Sequence, residues 1–155
     1  MSSRIASMSD DELWRLANSA AGTSSRAFDV SAIPEPLAAA LTVELAQGII
    51  DNGGIEYLLG PDLPVGVEYP DIVRSFKLIE SWLCAEALDE VYRAFPGGVP
   101  PNSDAERTPA LDALLSTKRD MLDQVSRTFW DSSESNYAAA IRLLRAHPEV
   151  FNAAA

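Results

Sequence analysis

The chain has 155 residues, of which 47% are hydrophobic and 23% are charged, a composition typical of one soluble globular domain. Only 12 Lys and Arg residues oppose 23 Asp and Glu residues, so the formal net charge is -11. This surplus argues against direct binding to nucleic acid or to an anionic membrane and favours basic partners. Because no membrane-length apolar stretch and no signal peptide is apparent, we expect a cytoplasmic protein.

The first half of the chain shows helical patterns and no convincing alternating strand. Ser9 and Glu12 match a capping box, which predicts a helix over residues 10–20. A second helix is predicted over residues 36–51, and a short helical turn over residues 55–59. The second helix has apolar residues four apart on one side, namely Leu37, Leu41, Leu45 and Ile49.

The second half predicts three more helices. Apolar residues at three- and four-residue intervals indicate one long helix over residues 70–95, which Pro96 ends. Thr108 and Pro109 resemble an N-cap and a first helical position, so the next helix is expected to continue to about Trp130. A last helix is expected over residues 134–146. We therefore predict a compact all-α bundle of about six helices in a single domain, residues 1–155, with flexible ends at residues 1–8 and 152–155.

Negative charge is concentrated in two segments. Residues 27–73 contain no Lys or Arg, and residues 80–106 carry six acids against Arg93 alone. Glu86 and Glu90 place like charges at i,i+4, which costs an isolated helix roughly 0.2 to 0.5 kcal/mol. The C-terminal region differs, because Arg119, Asp123, Arg127 and Asp131 alternate in sign at the same spacing and are expected to support one another. The acids of the first segment are Asp29, Glu35, Glu44, Asp51, Glu56, Asp62, Glu68 and Asp71.

Few side chains in the sequence are suited to catalysis or to metal binding. His147 is the one histidine and Cys84 the one cysteine, so neither a zinc nor a di-iron pattern is present. The stretch from Asp51 to Asp62 fails as a calcium loop, because its sixth residue is Glu56 where glycine is needed. We expect no catalytic residue, no metal and no cofactor. An enzyme with a cleft of scattered carboxylates is a third hypothesis, which requires at least one buried acid with a raised pKa in a concave pocket.

The segment from Asp51 to Tyr57, with Asn52, Gly53 and Gly54, resembles the asparagine-diglycine motif of a bacterial family of unknown function that includes a DNA-mimic protein. The helix order that follows is also similar, so the resemblance covers about residues 40–151. It implies an all-helical domain that is monomeric or weakly dimeric, and, in the characterised member, an acidic surface that occupies the DNA-binding face of basic proteins. The three motif residues are expected to serve packing and chain reversal.

Two partner classes follow from these observations. The leading hypothesis is a non-enzymatic protein that binds a basic DNA-binding protein by imitating DNA charge. The alternative is an immunity-type or other interaction module that covers a basic toxin or a similar partner surface. Surplus acid that only keeps the protein soluble is the simplest explanation of the charge. The acids expected to bind the partner are Asp51, Glu56, Glu86, Asp89 and Glu90, with Glu44, Asp62, Asp71 and Glu80 as extensions.

Overall fold

The computed structural model describes residues 2–22, 32–60 and 66–151, and these residues contain α-helices and no strands. The all-α prediction is confirmed. Within the described ranges, no helix has the combination of length and apolar character needed to cross a membrane. The helices are α1 Ser2–Ser7, α2 Asp10–Ala20, α3 Glu35–Gly53, α4 Ile55–Leu59, α5 Tyr69–Leu78, α6 Trp82–Arg93, α7 Asp104–Thr117 and α8 Arg119–Ala146.

Helix α3 is the centre of the fold and packs against α8, α5 and α4. The sequence predicted an apolar stripe on one side of this helix, but Leu45 and Ile49 of that stripe are only partly buried. Small residues allow neighbouring helices to approach α3 from several directions, so most of its circumference is enclosed. Its buried residues are Leu37, Ala38, Ala39, Ala40, Leu41, Thr42, Val43, Ala46, Gln47 and Ile50.

The prediction of one helix over residues 70–95 is wrong, because the chain turns between α5 and α6. The amide of Ser81 donates to Phe76 O at 2.9 Å, and the amide of Glu80 donates to Lys77 O at 3.0 Å. These two bonds form a Schellman motif, in which the residue after the C-cap adopts positive φ. Here that residue is Glu80, with φ of 61°. Glycine usually occupies this position, so a helix end at glutamate could not be recognised from the residue type.

The predicted boundary in the C-terminal half is also wrong. Helix α8 continues through residues 131–133, and the break lies instead at Lys118, between α7 and α8. Helix α7 begins at Asp104, so Pro109 lies inside it rather than at its first position. The prediction took proline and serine residues as helix boundaries. In the structure, buried residues along α8, including Phe129 and Asn136, keep the middle of this helix intact.

Buried Arg107 fixes the start of α7 against the end of α4. Its guanidinium donates to the carbonyl oxygens of Leu59 (3.0 Å), Gly60 (3.1 Å), Pro101 (2.8 Å) and Asn102 (3.0 Å), and it also pairs with the Asp104 carboxylate. One charged side chain therefore donates to the carbonyls that a helix end and a loop leave without backbone partners. The sequence analysis did not single out this residue.

The N-terminal helices follow the prediction in part. The Ser9 capping box is present, and α2 has the predicted bounds. Helix α1 was not predicted, yet its Ile5 is buried in the core. Arg145 of α8 holds the connection between these helices, donating to Ile5 O at 3.1 Å and to Met8 O at 2.9 Å.

A candidate acidic partner-binding surface

The asparagine-diglycine motif forms the sharp turn between α3 and α4. Asn52 donates from Nδ2 to Gly48 O at 2.7 Å, which satisfies a carbonyl near the end of α3. Gly54 has φ of 75° and ψ of -175°, a backbone conformation that is essentially restricted to glycine. A Cβ atom at Gly54 would lie 2.8 Å from Ser126 Oγ, and that hydroxyl accepts the Ile55 amide at 2.9 Å. The motif therefore brings the α3–α4 turn directly against α8.

Two exposed aromatic rings border this turn. A Cβ atom at Gly53 would lie 2.2 Å from Cγ of Tyr57, so glycine provides the space for the tyrosine ring. Trp130 of α8 donates from Nε1 to Ile50 O at 2.9 Å. Tyr57 is 61% exposed and Trp130 is 48% exposed. Both rings thus contribute to the surface as well as to packing.

Asp51 is the exposed end of a polar network between α3 and α8. Its carboxylate accepts hydrogen bonds from Gln47 Nε2 and Ser133 Oγ, both at 2.7 Å. The buried amide of Asn136 continues the network by donating to Gln47 Oε1 at 2.8 Å. Burial, followed by the nearby Asp51 carboxylate, raises the pKa of Tyr137 to about 12. Asp51 is exposed, but both of its carboxylate oxygens already have donors within the protein.

Glu56 of α4 forms an ion pair with Arg119 at the start of α8. The sequence analysis expected Arg119 to interact with Asp123 on its own helix, and the structure shows the cross-helix partner instead. The alternating charges of α8 therefore do not neutralise one another as predicted. Because Arg119 is engaged by Glu56, Asp123 makes no ion pair with any residue that the structure describes.

The three predicted acids of α6 have different surroundings. Asp89 forms an ion pair with Lys77 of α5 at 3.4 Å. Glu86 and Glu90 are exposed and form no ion pair within the described ranges. Arg93 donates from Nε to the backbone oxygen of Asp89 at 3.0 Å. The repulsion expected between Glu86 and Glu90 therefore has no local ion pair to relieve it.

The five predicted acids lie on two flanks of α8. Trp130 contacts α3, while Thr128 lines a cleft with α6. These residues adjoin the buried Phe129 in sequence, so their side chains leave α8 about 100° to either side of it. Asp51 and Glu56 accompany the first flank, and the α6 acids accompany the second. The two groups are separated by α8 rather than gathered in one cluster.

The solvent-facing side of α8 carries acids that the sequence analysis did not select. From the sequence alone, the charges of the C-terminal region were expected to balance one another. In the folded chain, Arg119 pairs with Glu56, and Arg145 pairs with Asp10 at 2.7 Å, so neither cation serves this face. Arg127 lies among the acids there, and the exposed Arg142 lies about three turns beyond Asp131 on the same side of α8. We call the following four residues the α8 acidic face: Asp120, Asp123, Asp131 and Glu134.

The possible extensions of the acidic surface fall in several places. Glu44 is partly buried between α2 and α3, where burial raises its pKa and Asn18 Nδ2 donates weakly to its carboxylate at 3.5 Å. Asp71 pairs with Arg74 at 3.0 Å. Glu80 is exposed at the α5–α6 turn, and Asp62 lies outside the described residues. None of these acids extends the α8 acidic face by an observed contact.

The cysteine and the histidine that the sequence offers both make contacts within the protein. Cys84 is buried, and Asn136 Nδ2 lies 3.4 Å from its sulfur. His147 Nδ1 lies 2.9 Å from Glu149 Oε1, and the pKa of Glu149 is lowered by its backbone hydrogen bond and by this contact. Within the ranges that the structure describes, no three His, Cys, Asp or Glu side chains form a group able to hold a metal ion.

The fold and this surface are those of an acidic, all-helical protein. The chain belongs to the DMP19-like protein family, whose model matches residues 31–147. This match includes the asparagine-diglycine turn, the α6 acids and all of α8. No curated protein and no solved structure matches the chain.

Proposed function

We propose that this chain is a cytoplasmic, non-enzymatic protein that binds a basic DNA-binding protein in place of DNA. The observation that carries the proposal is the redistribution of cations in the fold. Arg119 and Arg145 pair with Glu56 and Asp10, which leaves the α8 acidic face, like Glu86 and Glu90 on the neighbouring helix α6, without an ion pair among the described residues. Membership of the DMP19-like family and the resemblance to a family with a DNA mimic support this function.

The dimensions of this surface suit such a role. Asp120 and Glu134 are 14 residues apart on one helix, which corresponds to about 21 Å along its axis. One DNA strand carries about six phosphates over that length, at about 3.4 Å per phosphate. The α8 acidic face and the two α6 acids supply a similar number of negative groups. Asp51, Glu56 and Asp89 lie at the margins and add charge, although each already has a partner.

Complementary charge should make the association fast and sensitive to salt. We infer that the protein acts as a monomer or weak homodimer, with the acidic surface free to meet its partner. Sedimentation of the purified chain at micromolar concentration tests this point. A stable dimer whose formation buries the α8 acidic face would contradict it.

The main test is affinity purification with neutralised variants. One bait carries Asp123→Asn and Asp131→Asn, and another carries Glu86→Gln and Glu90→Gln. The wild-type protein should retain a DNA-binding protein that duplex DNA releases. Each double variant should bind that partner at least tenfold more weakly, and raising the salt concentration from about 50 to 200 mM should weaken wild-type binding more than variant binding.

A matched control removes the same charge from another helix. Glu106 and Asp112 are exposed on α7, so the variant with Glu106→Gln and Asp112→Asn should bind like the wild type. Equal weakening by all three double variants would show that only net charge matters and would contradict a defined surface. Capture of a basic toxin that DNA does not release would favour the immunity-type alternative.

A further inference from the structure

A cleft between α6 and α8 has features that charge imitation alone does not require. Leu83 and Ala87 of α6 line it together with Met121 and Val125 of α8. Leu83 is 65% exposed, and the adjacent Trp82 is 57% exposed. Large apolar side chains are expensive to leave in water, and exposed aromatic or aliphatic anchors are typical of protein-binding sites. The cleft therefore offers apolar contacts beside the acidic surface.

The two ends of this cleft carry opposite charge. Asn136 of α8 contacts Cys84 near the start of α6. Lys118 lies 18 residues earlier, about 27 Å along α8, and it lines the same cleft. The two helices are therefore antiparallel, and Lys118 lies near Arg93 at the end of α6. Glu86 lies in the half of the cleft nearer the start of α6 and Glu90 lies just past its middle, so both acids precede the basic end that Arg93 and Lys118 form.

We propose that this cleft binds one amphipathic helix of the basic partner. The lining residues of α6 run from Leu83 to Ala94, about 16 Å, which is the length of three helical turns. Apolar residues of the bound helix would face Leu83 and Met121, and its Lys or Arg residues would pair with Glu86 and Glu90. This inference rests on the proposed function, because it specifies how the same partner is held.

The charge gradient also fixes the direction of the bound helix. A helix carries partial positive charge at its N-terminus and partial negative charge at its C-terminus. The N-terminus is favoured beside Glu86 and Glu90, and the C-terminus beside Arg93 and Lys118. The bound helix should therefore run parallel to α6 and antiparallel to α8.

The test uses a synthetic peptide of 14 residues with leucines at i, i+3, i+4, i+7 and lysines in its first half. A scrambled peptide of the same composition is the control for charge without an apolar face. By fluorescence anisotropy, the amphipathic peptide should bind the whole protein at least tenfold more tightly than the scrambled peptide. Equal binding of the two peptides would overturn the proposal.

A variant of this protein separates apolar contact from charge. Leu83→Asp adds a negative charge, which by itself would favour a cationic peptide. Leu83 is the second residue of α6, where a carboxylate is compatible with the helix dipole and the fold should persist. We expect at least tenfold weaker binding, whereas Ala105→Asp, which adds the same charge at the exposed second residue of α7, should bind within about twofold of wild type. Unchanged binding by Leu83→Asp, in a variant whose circular dichroism is native, would refute the cleft.

Direction is tested by spin labels at either end of the peptide. A label at the N-terminus should broaden the amide signals of Leu83 and Glu86, and a label at the C-terminus should broaden those of Arg93 and Lys118. The reverse pattern would overturn the proposed direction. Failure of the peptide to bind would refute the cleft proposal even if a DNA-binding protein is captured through the α8 acidic face. Failure to capture such a protein would refute the proposed function even if the peptide binds. The two proposals can therefore be refuted separately.

Discussion

Replacing Gly54 with alanine should be one of the most damaging small substitutions in this protein. The backbone at Gly54, with φ of 75° and ψ of -175°, strains any residue that has a Cβ atom, at a cost of about 1 to 3 kcal/mol. The new methyl group would also lie 2.8 Å from Ser126 Oγ. Ser126 would have to move from the Ile55 amide, and an unsatisfied buried amide costs about 1 to 3 kcal/mol. We therefore expect Gly54→Ala to destabilise the protein by about 4 kcal/mol.

Gly97 provides a matched control for backbone strain. It has φ of 85°, but no atom lies within 4 Å of the position that its Cβ would take. Gly97→Ala should cost about 1 kcal/mol, because only the left-handed conformation is penalised. Urea unfolding at 25 °C, followed by far-ultraviolet circular dichroism, measures both values. In thermal unfolding, Gly54→Ala should lower Tm by about 8 to 16 °C.

A double-mutant cycle tests the cause of the Gly54 effect. Ser126→Ala removes the oxygen that a Cβ at Gly54 would meet, so the combined variant should be more stable than the sum of the single changes predicts. Strict additivity would show that contact with α8 is not responsible. Equal destabilisation by Gly54→Ala and Gly97→Ala would refute the reasoning altogether.

Three further substitutions test individual features of the fold. Glu80→Gly should raise the free energy of unfolding by about 0.5 to 1 kcal/mol, because glycine relieves the positive φ at the α5–α6 turn; a destabilised variant in urea unfolding would contradict this. Arg107→Met should lower the free energy of unfolding by about 3 to 5 kcal/mol in the same assay, since it leaves buried carbonyls without donors. The control Arg74→Met removes an exposed ion pair and should lower it by less than about 1 kcal/mol. Glu44→Gln should stabilise the protein at pH 7. Burial raises the pKa of Glu44, so the folded wild-type protein binds this proton more tightly than the unfolded chain does. The wild-type protein therefore loses stability as pH rises through the pKa of Glu44 in the folded state, and the glutamine variant does not. Unfolding measured across pH should show this gain disappearing below the ordinary pKa of glutamate, and a gain independent of pH would contradict it.

The sequence predicted the helices that have ordinary end signals. The capping box at Ser9 and the glycines after Asn52 marked the start of α2 and the end of α3. The failures occurred where tertiary contacts replace those signals. Glu80 adopts a conformation usually left to glycine, and the break at Lys118 has neither proline nor glycine. Such ends depend on contacts distant in sequence, which periodicity cannot reveal.

The candidate site was less predictable than the fold, because a count of charges along the sequence does not show which acid each Lys or Arg side chain pairs with. Sequence position assigned Arg119 to Asp123, four residues away on the same helix. The folded chain instead pairs Arg119 with Glu56, which is 63 residues away. Because Arg119 pairs with Glu56 instead of Asp123, Glu56 is not among the unpaired acids, and Asp123 on the α8 acidic face has no ion pair among the described residues. The like charges of Glu86 and Glu90 could be identified from the sequence, where Arg93 is the only basic residue on α6 and offers them partial relief.

The two kinds of acid on this surface should contribute differently to partner binding. An exposed ion pair such as Glu56 with Arg119 is worth at most about 1 kcal/mol, so a partner's arginine can compete for Glu56 only by displacing a cation already present. Glu86, Glu90 and the α8 acidic face have no ion pair to break among the described residues, and their mutual repulsion falls when a cation arrives. Partner binding should therefore begin on α6 and α8, with the α3–α4 flank joining only where the partner surface is large enough to reach across α8.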